Sequence, residues 1–384
     1  KLTSPLNNRQ PIFCVNLSHG KATCEPISRV EHPTLTPIQP HWQEFNNIRA
    51  SGSNVFFIAA SNKSYPQRIS TQIDNKPLSH PPVVRTSSQL PVTEAHYATA
   101  ETISFTNRHQ QIVYANYYPP TNPIYKSTDA ELPPLITICH GGPTGQSSLA
   151  LDPKKQFWTS RGFALLDVNY SGSSGYGREY RSRLYKKWGK LDVEDCCDAA
   201  LFAVAQGLAD QNRLIIRGSS AGGYTVLSAL TFEDVFSAGA SYYGISELTS
   251  LAKDTHKFES RYLDRLIGPY PADKAIYQQR SPINSTEKLN CPVIFFQGIE
   301  DKVVPKEQAE KMFDALAGAG VPVAAQYYEG EQHGFRKAGT ILKSLENELC
   351  FYKRVFKLTD EHDITFTGTI ILIHILFPAL INSK

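Results

Sequence analysis

The chain has 384 residues, of which 41% are hydrophobic and 20% are charged, and its formal net charge at pH 7 is +3. These ordinary globular values exclude a disordered chain, a collagen and a coiled coil. The small net charge and the lack of a long Lys/Arg run argue against nucleic acid or an anionic membrane as a partner. A chain of this length can bury a sizeable core, so we expect one large domain with a smaller appendage.

Seven cysteines are scattered along the chain, without a CxxC pair or a histidine at zinc-ligand spacing. We therefore predict no metal and no cofactor. The chain begins with Lys1 and shows no signal-peptide pattern, which favours a cytoplasmic location. A start without Met also suggests a fragment.

Residues 1–94 are rich in Pro, Ser, Thr and Asn and contain short β-like runs. The clearest runs extend from Asn54 to Ala59 and from Gln67 to Gln72. We expect a few short strands and a small β-rich N-terminal region.

Residues 95–358 are predicted to form an α/β domain, because from Leu135 onward an apolar strand, a loop and an amphipathic helix alternate repeatedly. The predicted strands are Leu135 to Cys139, Ala164 to Val168, Leu214 to Ile216, Ala238 to Ser241, Val293 to Phe296 and Ala324 to Tyr328. The predicted helices are Val193 to Leu208, Gly222 to Leu230, Lys306 to Leu316 and Ile341 to Val355. This order predicts a doubly wound, mostly parallel sheet covered by helices.

Residues 359–384 form an apolar tail that we expect to lie outside the fold. The stretch from Thr365 to Ile381 is nearly uncharged, but it is short for a membrane span and contains His374 and Pro378. A membrane anchor is the alternative interpretation, and a non-native or poorly ordered extension is favoured.

The motif Gly218-Ser219-Ser220-Ala221-Gly222 lies between a predicted strand and a predicted helix, as a nucleophile elbow requires. The two glycines lack side chains where strand and helix nearly touch, and Ser220 is exposed as the nucleophile. The N–H of Ala221 and the positive end of the helix point to where negative charge develops during acyl transfer.

A second oxyanion donor is expected in the loop after the strand that ends at Cys139, where the sequence reads His140-Gly141-Gly142-Pro143. We predict the N–H of Gly142 as this donor. The alternative is a Gly-Pro turn without a catalytic role.

A serine nucleophile needs a base and an orienting carboxylate, which follow it in this fold in the order Asp or Glu and then His. Asp301 lies in the loop after one predicted strand, with Glu300 as the competing residue, and His333 follows the last predicted strand. The other downstream histidines follow no strand of the sheet and are interpreted as surface, packing or tail residues: His256, His362 and His374.

Together these residues resemble the catalytic domain of the prolyl oligopeptidase family of serine peptidases, in particular its acylaminoacyl peptidase and dipeptidyl aminopeptidase branch. The resemblance extends from about Ser104 to Leu358. The matching motifs are His140 to Pro143, Asn169 to Gly177, Gly218 to Gly223, Gly298 with Asp301 and Val304-Pro305, and His333 to Phe335.

The resemblance implies the same roles for Ser220, Asp301 and His333 and for the two oxyanion donors. It also implies a preceding β-propeller that restricts entry to small peptides. Only about 90 residues stand before the hydrolase here, so the stretch from Trp42 to Asp74 is expected to be a final blade of a largely missing propeller.

The resemblance further suggests Tyr242 and Tyr243 as lining the pocket for the residue before the scissile bond. Simple packing of both tyrosines on the sheet is the alternative interpretation.

We predict hydrolysis of a peptide or acyl-peptide bond through an acyl-enzyme. A carboxylesterase-like hydrolase is the alternative within enzymes, because the elbow and triad are shared. A non-catalytic truncated remnant is the alternative outside enzymes. The peptide preference, endo- or exopeptidase action and homo-oligomer formation stay open.

Overall fold

The computed structural model describes residues 12–18, 21–27, 42–51, 54–72, 83–86, 93–128, 131–254 and 261–358. The predicted apolar tail, residues 359–384, lies outside these ranges, and so do three of the histidines considered above: His256, His362 and His374.

Two antiparallel sheets precede the large domain. One is a pair of strands, and the other has four strands in the order of the chain. The strands are β1 (Ile12–Ser18), β2 (Lys21–Ile27), β3 (Glu44–Ser51), β4 (Asn54–Ser61), β5 (Ser64–Gln72) and β6 (Val83–Thr86). The predicted β-rich N-terminal region is therefore present, and its four-stranded antiparallel sheet has the form of a propeller blade.

The large domain is built on an eight-stranded sheet with the order β14-β13-β12-β11-β9-β10-β8-β7. Strands β9 to β14 are parallel; at one edge β8 pairs antiparallel with β10, and β7 pairs antiparallel with β8. The strands are β7 (Glu101–Thr106), β8 (Ile112–Tyr118), β9 (Leu135–Cys139), β10 (Ala164–Asn169), β11 (Leu214–Ser219), β12 (Ala238–Tyr242), β13 (Val293–Gly298) and β14 (Val323–Tyr328).

The helices described for the large domain lie between and after these strands. They are α1 (Pro153–Thr159), α2 (Gly177–Ser182), α3 (Leu191–Ala205), α4 (Ala221–Phe232), α5 (Leu248–Asp254), α6 (Tyr262–Leu266), α7 (Lys274–Gln279), α8 (Glu307–Gly318) and α9 (Ala338–Val355). Short 3-10 turns occupy Glu94–His96 and Pro282–Lys288.

The strands bury both faces, because successive side chains point to opposite sides of a sheet. On β11, Leu214 and Ile216 belong to the core cluster that also contains residues of α3, α4 and α8, whereas Ile215 belongs to the cluster with residues of α1 and α9. Trp158 of α1 is fully buried in the second cluster. Burial of one such large apolar side chain contributes about 1.5–3 kcal/mol. The predicted doubly wound α/β-hydrolase fold is confirmed.

The predicted strands and helices of the large domain correspond to β9 to β14, α3, α4, α8 and α9, with ends that differ by a few residues. The antiparallel pair β7 and β8 was not predicted. Buried Val113 and Ala115 alternate with more exposed Ile112 and Tyr114, and the apolar edge residue Ile112 obscures the pattern of a half-buried strand.

The loop after β9 connects the two parts of the chain. The N–H of Leu151 donates to the carbonyl oxygen of Ser61 over 2.7 Å, and the Ser148 hydroxyl donates to a Glu44 carboxylate oxygen over 2.9 Å. Residues 140–151 therefore touch the N-terminal sheet at one end and the large sheet at the other.

Among the helices in the described ranges, none combines the length and the apolar character that a membrane span requires.

Candidate active site

Ser220 occupies a sharp turn between β11 and α4. Its backbone has φ 56° and ψ −121°, a conformation that costs a non-glycine residue about 1–3 kcal/mol. The turn is held by two backbone hydrogen bonds, from Ser220 N–H to Tyr242 O over 2.9 Å and from Tyr224 N–H to Ser220 O over 3.0 Å. The strained turn lifts the serine hydroxyl out of the sheet, as in a nucleophile elbow.

His333 contacts both of its predicted partners. Its Nε2 lies 2.9 Å from Ser220 Oγ, and its Nδ1 lies 2.8 Å from Asp301 Oδ2. An ionised carboxylate only accepts hydrogen bonds, so Nδ1 carries the proton and the lone pair of Nε2 faces the serine. This tautomer can accept the serine proton.

Asp301 is fixed by the loop that follows β13. Its Oδ1 accepts from the N–H groups of Val303 and Val304 over 2.8 and 2.9 Å, which leaves Oδ2 for the imidazole. Asp301 is 5% exposed, whereas the competing Glu300 is exposed and meets the histidine loop through its backbone. The structure therefore brings Asp301, and not Glu300, to His333.

A buried carboxylate closes the loop that carries His333. Glu331 accepts hydrogen bonds from the N–H groups of Arg336 and Lys337 over 2.9 and 3.0 Å. Burial alone would raise the pKa of Glu331, but these N–H donors outweigh it and lower the pKa. Sequence reasoning missed this residue, although it stands two positions before His333.

The two expected oxyanion donors lie beside the elbow. Ala221 is the first residue of α4, and N–H groups of a first helical turn have no acceptor within the helix. A Cβ built on Gly141 would lie 3.7 Å from Ser220 Cβ, so the glycine loop passes close to Ser220. Within the described part of the chain, the Gly142 N–H donates no hydrogen bond.

A tyrosine from α6 holds this loop from outside. The Tyr262 hydroxyl donates to the carbonyl oxygen of Gly142 over 3.2 Å and lies 2.8 Å from Thr144 Oγ1. No local sequence pattern could have linked Tyr262 to this loop, since the two are 120 positions apart.

The two predicted pocket tyrosines have different surroundings. Tyr243 packs edge-on against the His333 ring with 4.9 Å between ring centroids, and it also contacts Phe335. Tyr242 is 8% exposed and donates to Glu348 over 2.7 Å. The structure brings Tyr243 to the site, whereas the contacts of Tyr242 favour the packing alternative.

A buried ion pair lies beneath the elbow. Arg217 of β11 makes a bidentate contact with Glu348 of α9 at 2.9 and 3.0 Å, and the Tyr352 hydroxyl donates to the same carboxylate over 2.8 Å. Removing one member of such a pair costs about 3–5 kcal/mol, because the other charge stays buried. The pair therefore ties α9 to β11, the strand that leads into Ser220.

The described ranges contain no group of three His, Cys, Asp or Glu side chains that could hold a metal ion.

The chain is similar to known peptidases. Among curated proteins, dipeptidyl aminopeptidase BIII of Pseudoxanthomonas mexicana is 30% identical over 210 residues, which cover 53% of this chain and 30% of that protein. The acylamino-acid-releasing enzyme of Arabidopsis thaliana is 28% identical over 236 residues, which cover 59% of this chain and 30% of the relative.

Solved structures match over nearly the whole chain. A puromycin hydrolase has a TM-score of 0.85 at 36% identity and covers 91% of this chain and 52% of its own. A puromycin-hydrolyzing peptidase of Mycobacterium tuberculosis has a TM-score of 0.84 at 40% identity, with 88% of this chain and 51% of its own covered. The chain thus spans about half the length of these solved relatives and a smaller share of the two curated ones.

The sequence model of the prolyl oligopeptidase family matches residues 150–359, which include Ser220, Asp301 and His333 and make up more than half of the chain. The chain therefore belongs to the prolyl oligopeptidase family of serine peptidases.

Proposed function

We propose that this chain hydrolyses peptide or acyl-peptide bonds through an acyl-enzyme on Ser220, with His333 as the base and Asp301 as the orienting acid. The observation that carries the proposal is the continuous hydrogen-bonded line from Ser220 Oγ through both nitrogens of His333 to Asp301, with 2.9 and 2.8 Å between the atoms. Asp301 fixes the tautomer, and the strained elbow exposes the nucleophile.

In the proposed reaction, Ser220 Oγ attacks the scissile carbonyl carbon while His333 Nε2 takes the hydroxyl proton. The carbonyl oxygen becomes an oxyanion, which the N–H groups of Ala221 and Gly142 stabilise. When the C–N bond breaks, the imidazolium returns its proton to the leaving amine. Water then attacks the acyl-serine ester by the same route, which releases the acid and regenerates the serine.

The names of the relatives support the proposed substrate class. The curated relatives are named as dipeptidyl and acylamino-acid-releasing enzymes, and the solved ones are named for puromycin hydrolysis. We therefore favour amide and peptide substrates over esters, with Tyr243 lining the pocket for the residue before the scissile bond. A carboxylesterase-like activity is the alternative, since the same three side chains would also cleave esters.

We also propose the division of the chain into a β-rich region of residues 1–94, a hydrolase of residues 95–358 and a tail of residues 359–384.

A cytoplasmic location is proposed from the cysteines. Free thiols are present at Cys139, Cys196, Cys197, Cys291 and Cys350, which favours a reducing compartment such as the cytoplasm.

A fluorophosphonate probe tests the nucleophile. We expect one adduct on Ser220 by peptide mass spectrometry, and we expect the Ser220→Ala variant to remain unlabelled. Labelling at another serine of folded protein would contradict the assignment.

Matched acyl-peptide anilides and p-nitrophenyl esters test the substrate class. A larger kcat/KM for the anilides, relative to their uncatalysed hydrolysis, supports a peptidase, whereas hydrolysis of the esters alone supports the esterase alternative.

A further inference from the structure

Residues 177–190 form a strongly basic segment between β10 and α3. Three large side chains recur in it at every fourth position and are buried: Tyr180, Leu184 and Trp188. These side chains anchor the segment to the core, and the positions between and after them carry exposed cations. The exposed cations are Arg178, Arg181, Lys186, Lys187 and Lys190.

A sixth exposed cation, Arg265 of α6, lies beside this segment. The Lys186 N–H donates to the Arg265 carbonyl oxygen over 2.8 Å, and the Trp188 N–H donates to the Leu266 carbonyl oxygen over 3.2 Å. The segment and α6 therefore present their cations together. We name the following six side chains the basic surface: Arg178, Arg181, Lys186, Lys187, Lys190 and Arg265.

The basic surface has few carboxylates near it within the described part of the chain. No ion pair there joins any of the six cations to an acidic side chain. Glu179 is close in sequence, whereas Asp264 already pairs with Arg261 over 2.8 Å and Glu194 with His109 over 2.7 Å. The six positive charges are therefore largely uncompensated, although the formal net charge of the chain is +3.

Two contacts tie the basic surface to the glycine loop of the proposed active site. The Ser174 N–H, just before the segment, donates to the Gly145 carbonyl oxygen over 2.8 Å. The Tyr262 hydroxyl donates to the Gly142 carbonyl oxygen over 3.2 Å, and Arg265 follows Tyr262 in the same helix. Helical residues three positions apart lie about 5–6 Å from each other on one face. The basic surface therefore borders the loop that carries the proposed oxyanion donor.

A bound peptide can reach this surface. An extended chain covers about 3.3 Å per residue, so side chains three or four positions from the scissile bond extend about 10–13 Å beyond it. Exposed cations attract carboxylates over about 10 Å at 0.1 M salt. Several cations of one sign also raise the local concentration of an acidic ligand.

We propose that the basic surface selects peptide substrates that carry acidic side chains near the scissile bond. The inference rests on the proposed function, because it concerns the substrate of the same serine site. The six cations do not touch the reacting atoms and interact equally with the ground state and the transition state. They therefore act on KM and leave kcat unchanged.

A series of internally quenched peptides tests this preference with the wild-type protein. The peptides differ at one position at a time, which holds Glu, Gln or Lys, around a constant scissile bond. At one or more positions we expect kcat/KM to be about tenfold higher for Glu than for Lys, with Gln between them and the difference in KM. Because salt screens exposed charges, the ratio should fall to about two- to threefold in about 0.5 M NaCl.

Two double variants with the same net charge separate the basic surface from the charge of the whole protein. Lys187→Glu combined with Arg265→Glu should abolish or reverse the preference for Glu peptides, while kcat for the Gln peptides stays unchanged. Lys126→Glu combined with Lys357→Glu is the matched control, and it should keep the wild-type preference. Both variants should react with fluorophosphonate at the wild-type rate, which shows that the site is intact.

The two control cations are exposed and lie away from the proposed site. The loop of Lys126 is held by an ion pair of 3.0 Å between Glu131 and Arg213, and Arg213 directly precedes β11. This loop therefore lies at the start of β11, whereas Ser220 follows its end. Helix α9 begins just after the histidine loop, and its 18 residues carry Lys357 about 27 Å away from that loop.

The outcomes separate the inference from the proposed function. Equal kcat/KM for Glu and Lys peptides at every position, or equal effects of the two double variants, would overturn the inference. Inhibition by a dT oligonucleotide without discrimination among the peptides would identify a nucleic-acid surface and would also overturn it. A wild-type chain that neither hydrolyses any peptide nor reacts with fluorophosphonate would refute the proposed function itself. The peptide series and its salt dependence decide the inference even if a variant misfolds.

Discussion

Replacement of Gly222 by alanine tests the geometry of the elbow most directly. Gly222 is the second residue of α4 and faces the end of β9, where the glycine loop begins. An added Cβ would lie 2.1 Å from Cys139 O, 2.8 Å from Cys139 C and 2.9 Å from His140 O. All three neighbours are backbone atoms, which cannot rotate away as the end of a flexible side chain can.

The size of the effect follows from these distances. Real Cβ atoms essentially never come closer than 3.0 Å to such neighbours, so α4 and β9 would have to separate by about 0.9 Å. Ser220 directly precedes α4 and Gly142 follows β9, so the proposed nucleophile and the proposed oxyanion donor move apart. A misplacement near 1 Å can lower the rate by about 10²-fold. Steric overpacking should also lower the free energy of unfolding by about 1–3 kcal/mol.

Steady-state kinetics and urea unfolding of Gly222→Ala measure both effects. Gly339→Ala is the matched control, because no heavy atom lies within 4 Å of its added Cβ and it stands in the first turn of α9. Alanine stabilises helix interiors by up to about 1 kcal/mol over glycine, so this control should be neutral or slightly stabilised. If Gly222→Ala matched the control in kcat and stability, the close approach of strand and helix would not be a requirement of the site.

Three further predictions concern single side chains. Asp301→Asn should lower kcat for anilide hydrolysis by about 10⁴-fold, because the amide side chain favours the wrong tautomer of His333. The equivalent substitution in a Ser-His-Asp protease causes a loss of this size. A loss below about tenfold would contradict the proposed role of Asp301. Burial raises the pKa of Asp192 from 3.8 to about 6, so its contribution to stability is complete below about pH 4 and is lost as the pH rises through 6. Between about pH 4 and 8, Asp192→Asn should remove about 3 kcal/mol of the pH dependence of the free energy of unfolding, measured with urea. If the wild type and the variant showed the same pH dependence, the raised pKa of Asp192 would be refuted. Tyr262→Phe should lower kcat about two- to tenfold at constant KM, because the Gly142 carbonyl loses one hydrogen bond; an altered KM alone would point to a substrate contact instead.

The parallel strands and the three candidate catalytic residues could be predicted because their signals are local. Strands β9 and β11 are short apolar runs, as expected for strands that are covered on both faces. Ser220, Asp301 and His333 each follow such a run, and the carboxyl ends of parallel strands meet at one edge of the sheet. Chain order and strand position were therefore sufficient to bring the three side chains together.

Long-range side-chain contacts could not be predicted in the same way. Tyr242 and Tyr243 are neighbours in sequence, but one contacts Glu348 and the other contacts His333. Tyr242 is the last residue of β12, whereas Tyr243 leaves the strand with φ 39°, and only the positions of α9 and the histidine loop decide which of them reaches the site.

The buried Arg217–Glu348 pair has a consequence for how the polypeptide is made. Arg217 lies on an interior strand of the large sheet, and the carboxylate that compensates its charge is synthesised 131 residues later. Until α9 leaves the ribosome, closing the sheet around β11 would bury a cation without this partner, which is costly. Proteins whose native contacts join distant segments fold slowly, because the chain between the segments must first be closed into a loop. A nascent chain is therefore expected to complete the large sheet, and with it the proposed active site, only after α9 can dock on β11.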